Sequence, residues 1–271
     1  MKGNLRKMEG ELIDGSVAYT LPLGERRLAL NPLLGKTLKL TFSGAIHCDA
    51  CGRATKKSYA QGHCYPCMKK LARCDMCILR PETCHYADGT CREPEWGETH
   101  CMIPHYVYLA NTSGIKVGIT RHSQIPTRWI DQGATQALPI FAVMTRQLSG
   151  LVETALAELI ADKTNWRAML KGDHEDIDLK AKAAALMPEI SQRLAALSAE
   201  FGDEAIHPLD EEIIDIRYPV LEYPTKITSH NFDKKPVVEG TLLGIKGQYL
   251  ILDSGVINIR KFTGYEVEAA A

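Results

Sequence analysis

The 271-residue sequence has almost no net charge, −1 with histidine neutral, so there is no global argument for a polyanion or a membrane surface as partner. Its first residues, MKGNLRKMEGELIDG, contain no apolar stretch. No secretory signal is therefore expected, and a cytoplasmic location is. The densest apolar run, residues 137–144, contains Pro139 and is far short of the roughly 20 residues a membrane helix needs. There is no internal repeat, which argues against a solenoid, and no low-complexity tract. Hydrophobic content of 45% and charged content of 24% are ordinary for a globular chain, and the length suggests about two domains. The excess lies in cysteine: there are nine, and eight fall between positions 48 and 91.

Six of these eight form Cys-x2-Cys pairs: Cys48/Cys51, Cys64/Cys67 and Cys74/Cys77. A two-residue gap lets both sulfurs of a tight turn face one tetrahedral ion, the usual spacing of structural zinc. Cys48, Cys51, Cys64 and Cys67 make a zinc-ribbon-like four-thiolate set that leaves no coordination position for a substrate. Cys74, Cys77, Cys84 and Cys91 complete a second set in series. A crossed pairing of alternate couples satisfies the spacing equally, and Cys101, His63, His85 and His100 are spare candidates. About two structural Zn²⁺ ions are expected. Disulfides are the alternative, but cross-linked secreted domains are usually shorter and lack a large helical companion.

The chain reads as an α+β protein in five parts. Residues 1–46 are β-rich, with Leu38, Leu40 and Phe42 alternating onto one face. Residues 47–104 are the cysteine module, too poor in large apolar residues to fold without metal. Residues 105–172 form a small α/β core. Its expected order is strands at 106–109 and 115–120, a helix from Pro126 to a stop at Gly133, a strand at 140–144, and a helix at 150–161. The apolar side of that last helix is read as Leu151, Val152, Ala155, Leu156 and Leu159. Residues 173–202 are helical, expected as two helices divided at Pro188. Residues 203–271 are an acidic stretch (Asp203, Glu204, Asp210, Glu211, Glu212, Asp215), a Pro-punctuated linker and a β-meander turning at Lys246-Gly247 and Asp253-Ser254-Gly255. Strands at both ends of the chain could meet in one small sheet.

The segment Tyr106-Val-Tyr108-Leu, a turn, and Ile115-Lys-Val-Gly118-Ile-Thr120, followed by Arg128 on a helix and Glu153 on the next, resembles the paired strand motifs and downstream stations of the GIY-YIG nuclease superfamily. The resemblance covers residues 105–167, roughly a quarter of the chain. With its cysteine module included, the pattern resembles an uncharacterised bacterial family of zinc-containing proteins with a GIY-YIG-like core. The resemblance implies that Glu153 holds a divalent Mg²⁺ or Mn²⁺ ion, Arg128 neutralises the scissile phosphate, and Tyr108 assists proton transfer from water. Gly118 permits close approach of backbone and substrate. Two positions depart from the pattern: Tyr106 stands at the first glycine and Lys116 at the second tyrosine. Lys116 could hold a phosphate or move a proton, or it could mark lost activity. Asn165 is a supporting polar candidate.

Each residue also has a plain structural reading. Tyr108 can be strand packing, Arg128 a solvent-facing helix residue, and Glu153 a carboxylate favoured by the dipole of a helix's first turn. Together, in this order, they point to phosphodiester chemistry. Nucleic acid is the expected partner, contacted by Arg53, Lys56, Lys57 and Lys69 interleaved with Tyr59 and Tyr65. Arg121, Lys163, Arg167 and Lys171 add charge near the core. The leading expectation is a metal-dependent nuclease. The alternatives are an inactive nucleic-acid-binding or regulatory protein, and a zinc-stapled protein-interaction scaffold using the acidic stretch and terminal strands.

Overall fold

The computed structural model describes residues 1–160, 165–173 and 175–271; Lys163, expected among the basic residues near the core, lies outside them. The chain opens with β1 (Lys2–Asn4), β2 (Glu9–Ile13), β3 (Ser16–Leu23), β4 (Arg26–Ala29) and the long β5 (Thr37–Ile46). The cysteine-rich stretch carries only two short α-helices, α1 (Tyr65–Lys70) and α2 (Pro94–His100). Next come β6 (His105–Asn111), β7 (Ile115–Arg121), α3 (Thr127–Gln132), β8 (Gln136–Val143) and α4 (Arg146–Ala157). After α5 (Trp166–Lys171) and α6 (Leu179–Phe201) come the edge strands β9 (Ile206–Pro208) and β10 (Ile214–Asp215). The chain closes with β11 (Val237–Lys246), β12 (Tyr249–Leu252), β13 (Gly255–Asn258) and β14 (Tyr265–Ala270). This is a mixed α+β architecture. Among the described residues no helix is long and apolar enough to cross a membrane.

Strands from the two ends of the sequence do meet. A six-stranded antiparallel sheet runs β1-β14-β5-β11-β12-β13, with Lys2 opposite Glu268 and Leu40 facing both Val238 and Ala269. The alternation in β5 buries Leu38 and Leu40 completely. These residues join Leu21, Leu250, Ile257 and Val267 in one large apolar core, which also takes in Tyr108, Ala110, Trp129 and Ile130.

The second sheet runs β10-β8-β6-β7, with β9 also pairing β8. Its two faces are separated by the strand period of two. Val107, Leu109, Val117 and Ile119 face Val152 and Leu156 of α4 and Leu186 and Ile190 of α6. Tyr108 and Ala110 face the other way, into the core shared with the terminal strands. The acidic residues at 203–215 are exposed along β9, β10 and their flanks.

Three expectations change. The third strand starts at Gln136, four residues before the expected start. Pro139 is accommodated where the β6–β8 register slips between Val107 and Tyr108, a bulge where a missing N–H is tolerated. α4 begins at Arg146, capped by Thr145, whose hydroxyl accepts from the Leu148 amide at 3.2 Å. Glu153 therefore sits two turns inside the helix, outside the reach of a first-turn dipole, and Leu159 falls beyond the helix, 41% exposed. Pro188 does not divide α6, which is a single 23-residue helix. Pro188 is exposed, so the carbonyl it leaves without an N–H partner can be solvated, while Leu179, Leu186 and Ile190 keep one continuous buried stripe.

Candidate active site and metal centre

The register of β6 and β7 sets Tyr108 directly opposite Gly118. The tyrosine ring lies across the glycine so closely that a Cβ there would sit 2.5 Å from the phenolic oxygen and 2.6 Å from Cζ. Trp129 of α3 closes the other side, edge-on at 5.8 Å between centroids. Tyr108 is fully buried, so its hydroxyl needs a partner, and Gln132 supplies it at 2.8 Å. With the Gln132 amide turned so that both ends are satisfied, its nitrogen donates to the phenol. Its oxygen then accepts from Arg128 Nε and NH2 at 3.3 and 3.2 Å.

Arg128 and Gln132 lie one turn apart on α3, which therefore delivers a guanidinium and an amide to the same phenol. Burial pushes the Tyr108 phenol up to about 12; Arg128 pulls it down, and the Glu153 carboxylate pushes it up again. Arg128 and Glu153 thus both act on Tyr108, whose ring covers Gly118. Lys116 shares the face of Gly118, two residues along β7, and is half-buried.

Three contributors carried no local sequence signal. Gln132 is one. Arg146 is another: half-buried at the start of α4, it lies in electrostatic reach of Arg128, Glu153, Cys77 and Cys101. Its NH2 donates to Ile78 O at 2.8 Å, while Nε is buried without a partner. Arg260, on the turn before β14, acts on the same region through Asp131 and Arg128, and its Nε donates to Gln61 at 2.6 Å. Asp131 itself is tied to Lys7 at 2.7 Å and Gln248 at 2.8 Å, which fastens α3 to the terminal β-structure. His105, buried at the start of β6, donates from Nδ1 to Ile103 O at 2.7 Å. Burial brings its imidazole down to about 4, so it is neutral at physiological pH.

Other candidates sit elsewhere. Asn165 caps α5, accepting from the Arg167 and Ala168 amides at 3.0 and 3.3 Å. Arg167 stacks over Trp166 at 4.4 Å, and Lys171 is exposed. Arg121 ends β7 opposite His105. Arg53, Lys56, Lys57 and Lys69 are exposed on the cysteine module. There Tyr59 and Tyr65 meet edge-on at 5.6 Å, and the Lys57 ammonium lies 5.4 Å from the Tyr59 ring.

The first cysteine set is assembled. The sulfurs of Cys48, Cys51, Cys64 and Cys67 all lie within 4.8 Å of one another. Cys51 and Cys64 are 3.8 Å apart, which matches the edge of a tetrahedron with Zn–S bonds of about 2.3 Å. The first turn closes with the Gly52 amide on Cys48 O at 2.8 Å, glycine adopting φ +69°. The second places Cys64 at the N-terminus of α1, with Cys67 in its first turn. Burial resists ionisation of Cys48, but the Cys64, Cys51 and Ala50 amides outweigh it and bring that thiol down to about 6. Hydrogen bonds with Cys51 and Cys64 push Cys67 up to about 12. One thiol ionises early and another resists, which is how crowded sulfurs behave before a divalent cation neutralises them. The donor set fits structural zinc.

The second expected set is not gathered in the same way. Cys77, Cys84 and Cys91 line one small cavity together with Cys101. Cys74 is not among its walls; the charges acting on it are those of Arg73, Arg92, Cys48 and Glu93.

The chain thus combines a buried tyrosine held by an amide and a guanidinium with a four-cysteine cluster. The chain belongs to the DUF2797 family, described as a protein of unknown function, which matches residues 35–267. No curated protein and no solved structure matches the chain.

Proposed function

We propose that this is a zinc-containing, nucleic-acid-binding protein whose β6-β7-α3-β8-α4 unit is a divalent-metal-dependent phosphodiesterase of GIY-YIG type. What supports the reading is that Arg128 bonds to Tyr108, Glu153 lies within electrostatic range of it, and its ring covers the side-chain-free position of Gly118. A single carboxylate beside open positions suits Mg²⁺ or Mn²⁺, which keep several waters and bind substrate phosphate directly. When bound at Glu153, such an ion supplies positive charge for the attacking water and the phosphate and cancels the upward push of the carboxylate on the phenol.

The residues divide the work. Arg128 would neutralise the charge growing on the phosphate oxygens, with Gln132 fixing its orientation. Arg260 and Arg146 add positive potential around the same site. In hydrolysis the water oxygen forms the new P–O bond and the ester P–O bond breaks. Solvent would take the proton lost by water, with the Tyr108 hydroxyl assisting its departure, and the leaving oxygen would take a proton from solvent water. Tyr108 starts as a neutral phenol, so it serves as a relay and not as a standing base. The exposed lysines of the cysteine module, with exposed Tyr65 and half-buried Tyr59, offer phosphate contacts and a stacking surface.

Purified protein incubated with branched, single-stranded and duplex DNA and RNA, with Mg²⁺ or Mn²⁺, is expected to cleave at least one substrate. Glu153→Ala and Arg128→Ala are expected to lower the rate by about 10²-fold or more. Absence of cleavage throughout, or cleavage unchanged by Glu153→Ala, would retire the enzymatic reading. Lys116 in the place of a motif tyrosine favours a second reading, binding without turnover. It predicts salt-sensitive nucleic-acid binding that Lys116→Ala and Arg128→Ala weaken.

A further inference from the structure

Residues 72–104 have almost no apolar interior. The buried apolar side chains in this stretch are Ala72, Pro81 and the thiol of Cys101. Its secondary structure is one short helix and three single turns. Such a segment cannot offset its conformational entropy by apolar burial. At its centre is a cavity of about 20 Å³, about the size for one small occupant.

Four cysteines reach this cavity from four different turns: Cys77, Cys84, Cys91 and Cys101. Ile78, Tyr86, Trp96 and Gly97 close it off. Gly97 is required for that closure, because a Cβ there would lie 3.1 Å from the Tyr86 ring and 3.5 Å from the Cys91 sulfur. The cysteines are not in disulfides. Cys84, Cys91 and Cys101 all lie within electrostatic range of Cys77, and Cys84 and Cys91 within range of Cys101. Nothing apolar fills the space between these sulfurs, whereas four thiolates around a divalent ion would hold the turns together.

We propose that Cys77, Cys84, Cys91 and Cys101 form a second four-thiolate zinc centre, with Cys74 excluded, and that this centre fixes the start of α4. Zinc would draw the four sulfurs inward from the cavity walls to a tetrahedron of about 3.8 Å edge. Asp75 and His85 lie closer to Cys77, their ligand atoms within 4.8 Å of its sulfur and of each other, a spacing the four sulfurs reach only on moving inward. Asp75 is already held by Arg92 Nε at 2.7 Å and the Met76 amide at 2.6 Å, and His85 Nδ1 is paired with Thr90 at 2.7 Å. They are placed to orient the centre from outside it.

The link to α4 is direct. The Arg146 amide donates to Cys101 O at 2.7 Å, and Gln147 Nε2 donates to Cys84 O at 3.1 Å. The Arg146 guanidinium reaches Ile78 O, next to Cys77. The first turn of α4 therefore holds backbone carbonyls at three of the four ligand turns. The centre stands without the catalytic reading.

Metal analysis of full-length protein prepared under reducing conditions tests the assignment. Wild type and Cys74→Ser are expected to carry about two zinc ions per chain. Cys91→Ser and Cys101→Ser are expected to carry one. Asp75→Asn and His85→Ala are expected to keep two. In case the cysteine variants fail to fold, Co²⁺ titration of metal-stripped wild type is expected to saturate at two equivalents, both with thiolate-to-cobalt charge-transfer bands. Saturation at one equivalent would overturn the proposal. So would loss of one zinc from Cys74→Ser, Asp75→Asn or His85→Ala while Cys101→Ser retains two.

Discussion

Gly118→Ala places one methyl group where the structure has no room for it. The new Cβ would stand 2.5 Å from the Tyr108 oxygen, 2.6 Å from Cζ and 3.0 Å from Cε2, against the roughly 3.5–4.0 Å that carbon atoms prefer. The ring must retreat by about 1 Å, but it is fully buried with Trp129 beside it. Overpacking of this kind costs about 1–3 kcal/mol. For a chain of this size, about 2 kcal/mol lowers Tm by roughly 4–8 °C, readable by tryptophan fluorescence because Trp129 abuts the displaced ring. The same 1 Å takes the hydroxyl out of its 2.8 Å bond with Gln132, so Arg128 loses its alignment and cleavage should fall together with stability. Tyr108→Phe removes the closest of the three clashing atoms. The double variant should therefore lose less than the sum of the singles, with a coupling of at least about 0.5 kcal/mol. A Gly118→Ala protein with wild-type Tm and wild-type activity would refute the packing argument and the site built on it.

Lys246 is fully buried, and its ammonium nitrogen has no hydrogen-bond partner. It is flanked by the Tyr218 and Tyr223 rings at 5.5 and 5.4 Å, and burial lowers its pKa from 10.5 to about 8. The folded state therefore releases this proton before the unfolded state does. The lysine's penalty is fully present below pH 8 and fades as pH rises from about 8 to 10.5. Lys246→Met should raise stability at pH 7 by up to about 3 kcal/mol, and the gain should shrink towards pH 10.5; urea denaturation at pH 7 and pH 10 checks both. Gly150→Ala drives a Cβ to 2.6 Å from Pro81 Cβ and 2.7 Å from the Glu82 amide. Despite a helix-propensity gain of about 1 kcal/mol, it should lower Tm and speed proteolysis around Arg80, while Ala at the exposed Thr154 should do neither.

Much of this site could be read from short-range pattern. The alternation in β6 and β7 placed Tyr108 and Gly118 on one face, and Gly133 stops α3 at φ +73° as a left-handed cap. The Cys-x2-Cys turns located the first centre because two sulfurs on one turn face the same point. Failures came where tertiary packing decides. Gly150 looked like a helix start, but it lies inside α4 as the residue against which Pro81 packs. Cys101 looked spare because its cavity is closed by α2, which brings it back to turns 10 to 24 residues earlier in the chain. Arg260 arrives from more than a hundred residues downstream of α3, a distance no local periodicity spans. Cys74, despite its two-residue spacing from Cys77, does not line the cavity that Cys77, Cys84 and Cys91 share.

The pairing of β14 between β1 and β5 constrains biosynthesis. β5 is made early, yet one of its edges finds its neighbour only when residues 265–270 leave the ribosome. Until then the nascent chain carries an unpaired edge, a template for association with other chains. Sheet closure then comes after the cysteine turns, so metal can be captured on a scaffold not yet locked. Removing the last seven residues should leave Tyr108, Arg128 and Glu153 in the chain yet yield a protein that aggregates as it is made.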